Sequence, residues 1–301
     1  MPNSESVYGS RSITSADPAR KRRTRSQISA LCDAIYAVVS QQQPMTVRQV
    51  FYQLVKLGLI DKSEREYHKV VVRLLTKLRL EGSLPWAWIA DSTRWMRKPT
   101  TYDDIEDALR DTAASYRRAL WRDHDVYVEV WLEKEALAGV LLGVTAEWDV
   151  PLMVTRGFAS LSYLHSAAET IARTNKPTYL YYFGDYDPSG VEIDRNIERR
   201  LREFLALADF LIHFERVAIT PGQIAEYELP TRPTKTTSHG RGLHRGESVE
   251  VDALDPDDLR GLVRDRIAQH VDRDLLRAHK AAEESERLLL GGLPAMLRRS
   301  A

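Results

Sequence analysis

Cysteine is almost absent from this chain of 301 residues, in which Cys32 is the single example. One cysteine excludes an intrachain disulfide and excludes zinc sites built from C-x-x-C pairs. Because Cys32 stands among apolar residues at helical spacing, we expect it to be a small core residue. The shortage of cysteine is typical of proteins kept in a reducing compartment.

Long hydrophobic runs are also missing. No stretch approaches the ~18 apolar residues that a membrane-spanning helix needs. The opening residues, MPNSESVYGSRSITSADPARKRRTR, are polar and basic where a signal peptide would carry an apolar segment. The chain lacks the GxxxxGK[ST] loop that cradles nucleotide phosphates, and no ATPase domain is visible. We therefore expect a soluble cytoplasmic protein.

An excess of either charge is absent as well, since 43 Lys and Arg balance 43 Asp and Glu. The charges are unevenly distributed: residues 1–124 carry 21 basic against 14 acidic residues, and the remainder carries 22 against 29. A basic half favours a polyanionic partner, because Lys and Arg neutralise phosphates and release counterions. With 43% hydrophobic residues, the chain can bury the cores of about two domains.

The basic half is predicted to be helical. Residues 1–23 are polar and end in a basic cluster, which predicts a disordered arm that binds nucleic acid or keeps the protein in solution. Apolar residues at helical spacing predict a first helix over residues 24–40 and a third over residues 63–80, the latter opened by a second capping box. A short aromatic segment at residues 86–89 follows and ends in a polar bend.

The second helix carries a candidate reactive side chain. It begins at Thr46, where Gln49 completes a T-x-x-Q capping box. Its apolar stripe leaves Tyr52 on the far side, with Arg48 one turn earlier, so both side chains should project away from the core. A surface tyrosine stacked on an arginine stem is the alternative interpretation.

The third helix carries a basic ridge opposite its core face. Its members recur every four residues: Arg65, Lys69, Arg73 and Lys77. Three helices followed by a short aromatic segment predict a winged helix over residues 24–98, with the third helix in the DNA major groove. A helical bundle with a basic exterior is the alternative.

A linker and an α/β domain follow the winged helix. The linker, residues 99–124, is predicted to hold one helix from about residue 101 to residue 121, with Ile105, Leu109, Tyr116 and Leu120 as core positions. Strands then alternate with helices over residues 125–220, which predicts a parallel sheet with helices on its faces. The predicted strands are residues 126–133, 151–155, 178–184 and 211–219.

Acidic residues stand where two of these strands end. Glu133 ends the first, and Asp185 and Asp187 follow the third in the stretch YYFGDYDPSG. In parallel sheets the functional crevice lies beyond the carboxyl ends of the strands. Oxygen ligands without His or Cys favour Mg²⁺ or Mn²⁺. The alternative is a turn, in which Asp binds the local backbone.

Two stretches of the sequence resemble motifs of a known protein family. MTVRQVFYQLVKLGL is similar to the tyrosine-bearing, CAP-like winged helix of the type IIB topoisomerase (topoisomerase VI) A subunits and the related meiotic double-strand-break transesterases. Three motifs follow in the order found in the Toprim domain of that family, which they resemble: a strand ending in Glu-Lys, then TRGFAS, then FGDYDPSG. The resemblance covers about residues 25–220, and the chain is most similar to the short stand-alone mini-A members. The chain departs from the family's usual motifs at two places. It has DYDPSG where the family often has DaDPyG, and FYQ where the family more often has a stretch with paired tyrosines.

The resemblance implies an α/β multidomain protein with a winged helix, a Toprim domain and a helical C-terminal tail. It implies that Tyr52 cleaves DNA with help from Arg48, and that Glu133, Asp185 and Asp187 hold Mg²⁺. It further implies double-stranded DNA as substrate, a homodimer whose sites combine two subunits, and a separate GHKL-type ATPase B subunit as a partner of the family.

Two other functions stay open on the sequence. One is a hydrolytic Toprim nuclease, in which the ion activates water and Tyr52 only contacts DNA. The other is a non-catalytic DNA-binding protein on the same scaffold. The tail, residues 221–301, contains a Gly-rich stretch and two helices from about residue 257. His239 and His244 in that stretch are candidate phosphate or metal ligands, with loop histidines as the alternative.

Overall fold

The computed structural model describes residues 23–90, 99–206, 211–233 and 247–300 of the chain, with side chains up to residue 294. Nearly all of the predicted basic arm, together with His239 and His244, lies outside these ranges. Across the described ranges, no helix is both long and apolar enough to span a membrane.

The N-terminal helical unit begins with two capped helices, α1 (Arg25–Gln42) and α2 (Val47–Lys56). The predicted T-x-x-Q box is confirmed, because the Gln49 backbone N–H donates to the Thr46 hydroxyl at 3.0 Å and the Gln49 side-chain Oε1 accepts from the Thr46 backbone N–H at 2.9 Å. These bonds satisfy amide groups that a helix start leaves without partners. The sequence therefore fixes where α2 begins, and with it the position of Tyr52.

The third helix, α3, is continuous but changes geometry along its length. It runs as Glu64–Glu66, a π-helical segment Tyr67–Val72, and Arg73–Leu80. Only half of the predicted second capping box forms: Ser63 accepts from Glu66 N–H, while the Glu66 carboxylate binds Arg23 at 2.8 Å. After α3, Trp86–Trp88 forms a 3₁₀ turn and Ile89 makes a parallel bridge to Met45. The predicted bend beyond it, residues 91–98, lies outside the described residues.

The predicted linker helix is shorter than expected. Helix α4 spans Ile105–Ser115, and Ile105, predicted as core, is 72% exposed. Asp104 caps its start by accepting from Asp107 N–H. The helix ends at Tyr116 because the carbonyl of that residue turns away to accept two bonds from Arg287. The chain continues through a 3₁₀ turn, Leu120–Asp123.

The acidic half contains the predicted parallel sheet. Its strands are β1 (Tyr127–Leu132), β2 (Leu152–Val154), β3 (Thr178–Phe183) and β4 (Ile212–Ala218). All three pairings are parallel, in the order β2-β1-β3-β4, so β1 and β3 lie side by side in the middle. Each connecting helix covers a face of the sheet, as parallel strands require. These helices are α5 (Ala138–Glu147), α6 (Leu161–Thr174) and α7 (Pro188–Leu205).

Two apolar clusters hold the sheet. Along β3, Leu180 and Tyr182 face a cluster shared with α6 and α7, while Tyr181 and Phe183 face the other side. That alternation follows from the two-residue period of a strand. The second cluster is continuous from the N-terminal helical unit to the C-terminal part of the chain. The two halves of the sequence thus share one hydrophobic core.

The C-terminal part begins with the short helix α8 (Pro221–Glu226) and two short antiparallel strands, β5 (Arg232–Pro233) and β6 (Glu247–Ser248). Two helices follow, α9 (Pro256–Ala268) and α10 (Arg273–Ser300), which confirms the predicted helical tail. Helix α9 packs on α5, and α10 packs on α4. We call residues 247–255 the bridging segment, because it passes between α2 and the sheet.

Candidate functional site

The structure brings two of the predicted acidic residues into contact at the carboxyl edge of the sheet. Glu133 directly follows β1, and Asp185 stands two residues after the neighbouring strand β3. The Asp185 backbone N–H donates to Glu133 Oε2 at 3.0 Å, and the Tyr182 hydroxyl reaches the same oxygen at 3.4 Å. The sheet register therefore determines this pairing.

Two glycines make the approach possible. A Cβ on Gly184 would lie 2.6 Å from Glu133 Oε2, and a Cβ on Gly190 would lie 2.2 Å from the Asp185 carbonyl oxygen. Both distances are far below van der Waals contact. The glycines of YYFGDYDPSG therefore serve close packing of the turn that carries the acids.

Arg216 on β4 stabilises the same turn through an ion pair and hydrogen bonds. Its guanidinium pairs with Asp194 and donates to the carbonyls of Gly184, Asp185 and Gly190, the last at 2.8 Å. The sequence analysis did not single out Arg216. Its only signal in the sequence is a charged residue within a predicted strand.

Burial changes the proton affinity of the acidic pair. Burial, followed by the Asp185 carboxylate, raises the pKa of Glu133 to about 7. Burial also raises the pKa of Asp185, although Lys134 and the Val251 N–H oppose the shift. Two carboxyls in a dry site disfavour each other's charge, and a cation placed between them relieves that cost.

Asp187 has a local structural role. It is the N-cap of α7, and its Oδ1 accepts from Gly190 N–H at 2.7 Å, which is the turn interpretation weighed for this motif. The oxygens of Glu133, Asp185 and Asp187 suit a hard divalent cation. Among the described residues, no three His, Cys, Asp or Glu side chains are arranged as a ready metal site. The chemistry of the donor set fits Mg²⁺, while one Asp187 oxygen is engaged by the Gly190 N–H.

Lys134 supplies a positive charge beside these acids. Its Nζ lies 3.1 Å from Asp185 Oδ1, 3.2 Å from Glu250 Oε2 and 2.8 Å from Asp252 Oδ2. Burial lowers the pKa of Lys134, but the three carboxylates raise it more, so the ammonium group stays charged. The bridging segment supplies two of the three carboxylates. The lysine therefore joins that segment to the acidic turn.

Glu250 is the most highly paired acid of the bridging segment. It binds Lys134, Arg232 NH1 at 2.6 Å and Arg48 Nε at 3.7 Å. Burial would raise the pKa of Glu250, but these three cations lower it below the usual value. The sequence analysis missed Lys134, Arg232 and Glu250 because their partners are distant in the chain.

Tyr52 does not project into solvent, and that prediction is wrong. The side chain is 3% exposed, because the face of α2 opposite the first apolar stripe is covered by the bridging segment. Two hydrogen bonds join α2 and its cap to the bridging segment. The Gln53 side-chain amide donates to Asp255, and the Thr46 hydroxyl donates to Asp252. Burial, followed by the Glu250 carboxylate, raises the pKa of Tyr52 despite nearby cations.

Those cations surround the phenol. Lys134, Arg232 and Arg48 each lower the pKa of Tyr52, and Lys62 Nζ lies 5.4 Å from the ring centre. Burial and then Arg232 lower the pKa of Lys62 to about 8. An amine titrating near neutral pH is therefore close to the candidate nucleophile.

Arg48 is turned partly away from Tyr52. Its NH1 binds Glu64 at 2.9 Å, and its guanidinium lies 4.0 Å from the ring centre of Tyr67. The alternative interpretation, a surface Tyr52 stacked on the stem of Arg48, is therefore also wrong, because Tyr52 is buried and Arg48 lies over Tyr67 of α3. Arg48 still contributes charge to Tyr52 and Glu250 from this position.

The predicted basic ridge is exposed. Four side chains of α3 face solvent, opposite the buried Val70, Val71, Leu74, Leu75 and Leu78. These four are Arg65, Lys69, Arg73 and Lys77. The π-helical segment interrupts the four-residue repeat without turning any of them into the core.

The fold and site define an α/β chain whose parallel sheet presents an acidic pair beside a buried tyrosine. No protein-family model matches the chain, and no curated protein matches its sequence.

Proposed function

We propose that this chain is a Mg²⁺-dependent DNA-cleaving transesterase of the topoisomerase VI A-subunit type. The observation that carries the proposal is the pairing of Glu133 with Asp185 at the carboxyl edge of a parallel sheet, which Lys134 links to the bridging segment packed on the helix that bears Tyr52. The resemblance of the sequence motifs supports the same assignment. The exposed ridge on α3 would contact the DNA phosphates.

In this reaction the Tyr52 oxygen bonds to a DNA phosphorus as the phosphorus–O3′ bond breaks. The products are a 5′-phosphotyrosyl link and a free 3′-hydroxyl, and the conserved bond energy permits religation. Ionising an ordinary tyrosine at neutral pH costs about 4 kcal/mol, and burial adds to that cost. Lys62, in its neutral form, would accept the phenol proton, Arg48 would stabilise the phenolate, and water would supply the proton of the 3′-hydroxyl. A bound Mg²⁺ on Glu133 and the aspartates would neutralise charge on the phosphate.

Tyr52 must be uncovered before it can meet a phosphate. The bridging segment packs along α2 through Gln53 and Thr46, so we propose that this segment moves when DNA binds. We propose a homodimer that cuts both strands, with a GHKL-type ATPase B subunit as the partner for strand passage. The proposed location is the cytoplasm, with the nucleoid, a plasmid or a phage genome as the DNA.

A hydrolytic nuclease is the second candidate, and the burial of Tyr52 favours it. In that reaction an ion-activated water attacks the phosphorus, and the tyrosine has only a structural role. The phenol could then stay buried throughout the reaction. The two candidates differ in whether the protein becomes attached to DNA.

The test uses supercoiled plasmid and Mg²⁺, a detergent quench, and detection of protein on 5′ ends. We expect adducts from the wild type and from the control Tyr36→Phe, which alters an exposed tyrosine of α1. Tyr52→Phe should lose them by at least ~10³-fold, because the nucleophilic oxygen is gone. Linear DNA without attached protein would establish hydrolysis instead. Absence of ion-dependent breakage would favour a non-catalytic DNA-binding protein.

A further inference from the structure

A cavity of about 360 Å³ lies between α7 and the edge strand β4, beside the acidic turn. One face of α7 supplies Val191, Asp194 and Arg195, because residues three or four apart in a helix project together. Phe214 lines the cavity from β4, and Tyr186 lines it from the turn. We call this cavity the edge pocket. Its volume lies within the range of small-molecule sites.

The edge pocket is lined by a buried carboxylate with one unsatisfied oxygen. Asp194 is 7% exposed, and its Oδ2 pairs with Arg216. Its Oδ1 is buried and accepts no hydrogen bond from any described residue. A buried acceptor without a partner is costly, and such groups are rare in folded proteins. Because Asp194 lines the pocket, a ligand bound there can supply the missing donor.

The remaining charges of the edge pocket are balanced except for one cation. Asp194 is neutralised by Arg216, and Glu198, one turn further along α7, pairs with Arg202 at 2.8 Å. Arg195 is exposed, and the ion pairs and side-chain hydrogen bonds found among the described residues do not involve it. The pocket therefore offers a ligand one buried acceptor and one exposed cation.

Two aromatic side chains of the edge pocket are held by their own contacts. The ring of Phe214 is stacked on Tyr182, with 6.0 Å between the ring centres. The backbone of Tyr186 exchanges two hydrogen bonds with Val249 of the bridging segment, at 2.8 and 3.0 Å. Aromatic rings of this kind stack on nucleobases. A preorganised wall also lowers the ordering cost of binding.

We propose that the edge pocket binds a purine nucleotide. The base packs on Phe214 and Tyr186 and donates an N–H to Asp194 Oδ1, while Arg195 binds the phosphate. The purines carry exposed N–H groups on their edges, the N6 amino group of adenine and the N2 amino group of guanine. Uracil instead flanks its one N–H with two carbonyl oxygens, which a carboxylate repels. The inference goes beyond the proposed function, because binding uses neither Tyr52 nor a metal.

The test measures binding of a fluorescent, ribose-labelled GMP by anisotropy, without Mg²⁺, and its displacement by unlabelled compounds. GMP and AMP should displace it, whereas UMP and ribose 5-phosphate should be at least about tenfold weaker, because they leave the Asp194 oxygen unpaired. Asp194 itself is not replaced, since it also binds Arg216.

Two variants test the edge pocket from the protein side. Val191→Phe fills part of the cavity, and Arg195→Gln removes the cation that would bind the phosphate. Each should weaken GMP binding by at least about fivefold, the effect of one lost charge-assisted or packing contact. The matched control is Arg199→Gln, which alters an exposed arginine of the same helix that pairs with Glu203 and does not line the pocket. Urea unfolding verifies that all three variants are folded.

The nucleotide has two possible sources, a free mononucleotide or a base extruded from DNA. Displacement by a single-stranded TTATT oligonucleotide at lower concentration than AMP, with no displacement by TTTTT, would identify DNA as the source. Displacement by AMP alone would identify the free nucleotide. A Kd for labelled GMP above about 1 mM would overturn the proposal, because stacking and one charge-assisted hydrogen bond should bind more tightly. Equal displacement by GMP and UMP, or equal Kd values for the control and the two pocket variants, would overturn it as well.

Discussion

The ion pairs of Lys134 give the sharpest stability prediction. Replacing it by Met keeps a long unbranched side chain and removes the charge. Asp185 and Asp252 would then have no cationic partner among the described residues, while Glu250 would keep Arg232. Two acids would remain close together in a largely dry site. The variant should therefore be destabilised by uncompensated charge.

The magnitude follows from the burial of the pair. Removing one partner of a buried ion pair costs about 3–5 kcal/mol of unfolding free energy. The Lys134 side chain is 24% exposed, so water can hydrate part of the site. We therefore expect about 3 kcal/mol, the lower end of that range. A protein of ordinary stability would still be folded.

The assay is equilibrium urea unfolding at pH 7.5 without divalent ions. The control is Lys77→Met, an exposed lysine paired with Glu81 four residues away, which should lose no more than ~0.5 kcal/mol. Adding Asp252→Asn to Lys134→Met should restore part of the loss, because one of the stranded charges is removed. A loss below about 1 kcal/mol for Lys134→Met would refute the reasoning.

Two further predictions concern the sheet domain. Gly190→Ala places a Cβ 2.2 Å from the Asp185 carbonyl oxygen and should cost about 1–3 kcal/mol in urea unfolding, whereas Gly261→Ala, which meets nothing within 4 Å, should not destabilise. Equal stability of the two variants would contradict this packing argument. Glu129 is 1% exposed, accepts from the Trp131 indole at 2.8 Å, and burial raises its pKa to about 7. The folded state therefore holds an extra proton, and wild-type stability should fall as pH rises from about 4.5 to about 7. Glu129→Gln should make that fall smaller in unfolding measured at pH 5 and pH 8, because only the contribution of Glu133 and Asp185 would remain, and parallel pH profiles of the two proteins would disprove it.

The sheet was predictable because its signals are local. Each strand is a short apolar run, and two of the three sheet helices, α6 and α7, begin at a side-chain cap, so the element order and the parallel pairing followed from the sequence. The position of Glu133 beside Asp185 followed as well, because adjacent parallel strands end at one edge. The winged helix is not established by the helices described here, since the bend after Ile89 lies outside the described residues.

The burial of Tyr52 could not be predicted, because the segment that covers it lies about 200 residues further along the chain. Helix α2 has one strongly apolar face, and nothing in its own sequence shows that the other face is covered. Lys134 and Glu250 are likewise paired across a separation of 116 residues. The length of the linker helix was overestimated because Tyr116 and Leu120 matched the helical period, although the helix ends at Ser115 and Leu120 belongs to a 3₁₀ turn.

The distance in sequence between Tyr52 and the bridging segment has a consequence for biosynthesis. Ribosomes add roughly 5–20 residues per second, so the bridging segment would emerge ~10–40 seconds after α2. Throughout that interval the nascent polypeptide has its phenol unshielded, and the apolar cluster shared with α9 is incomplete. Shielding of the tyrosine therefore waits for synthesis of the bridging segment, and translation products truncated before that segment would carry it bare.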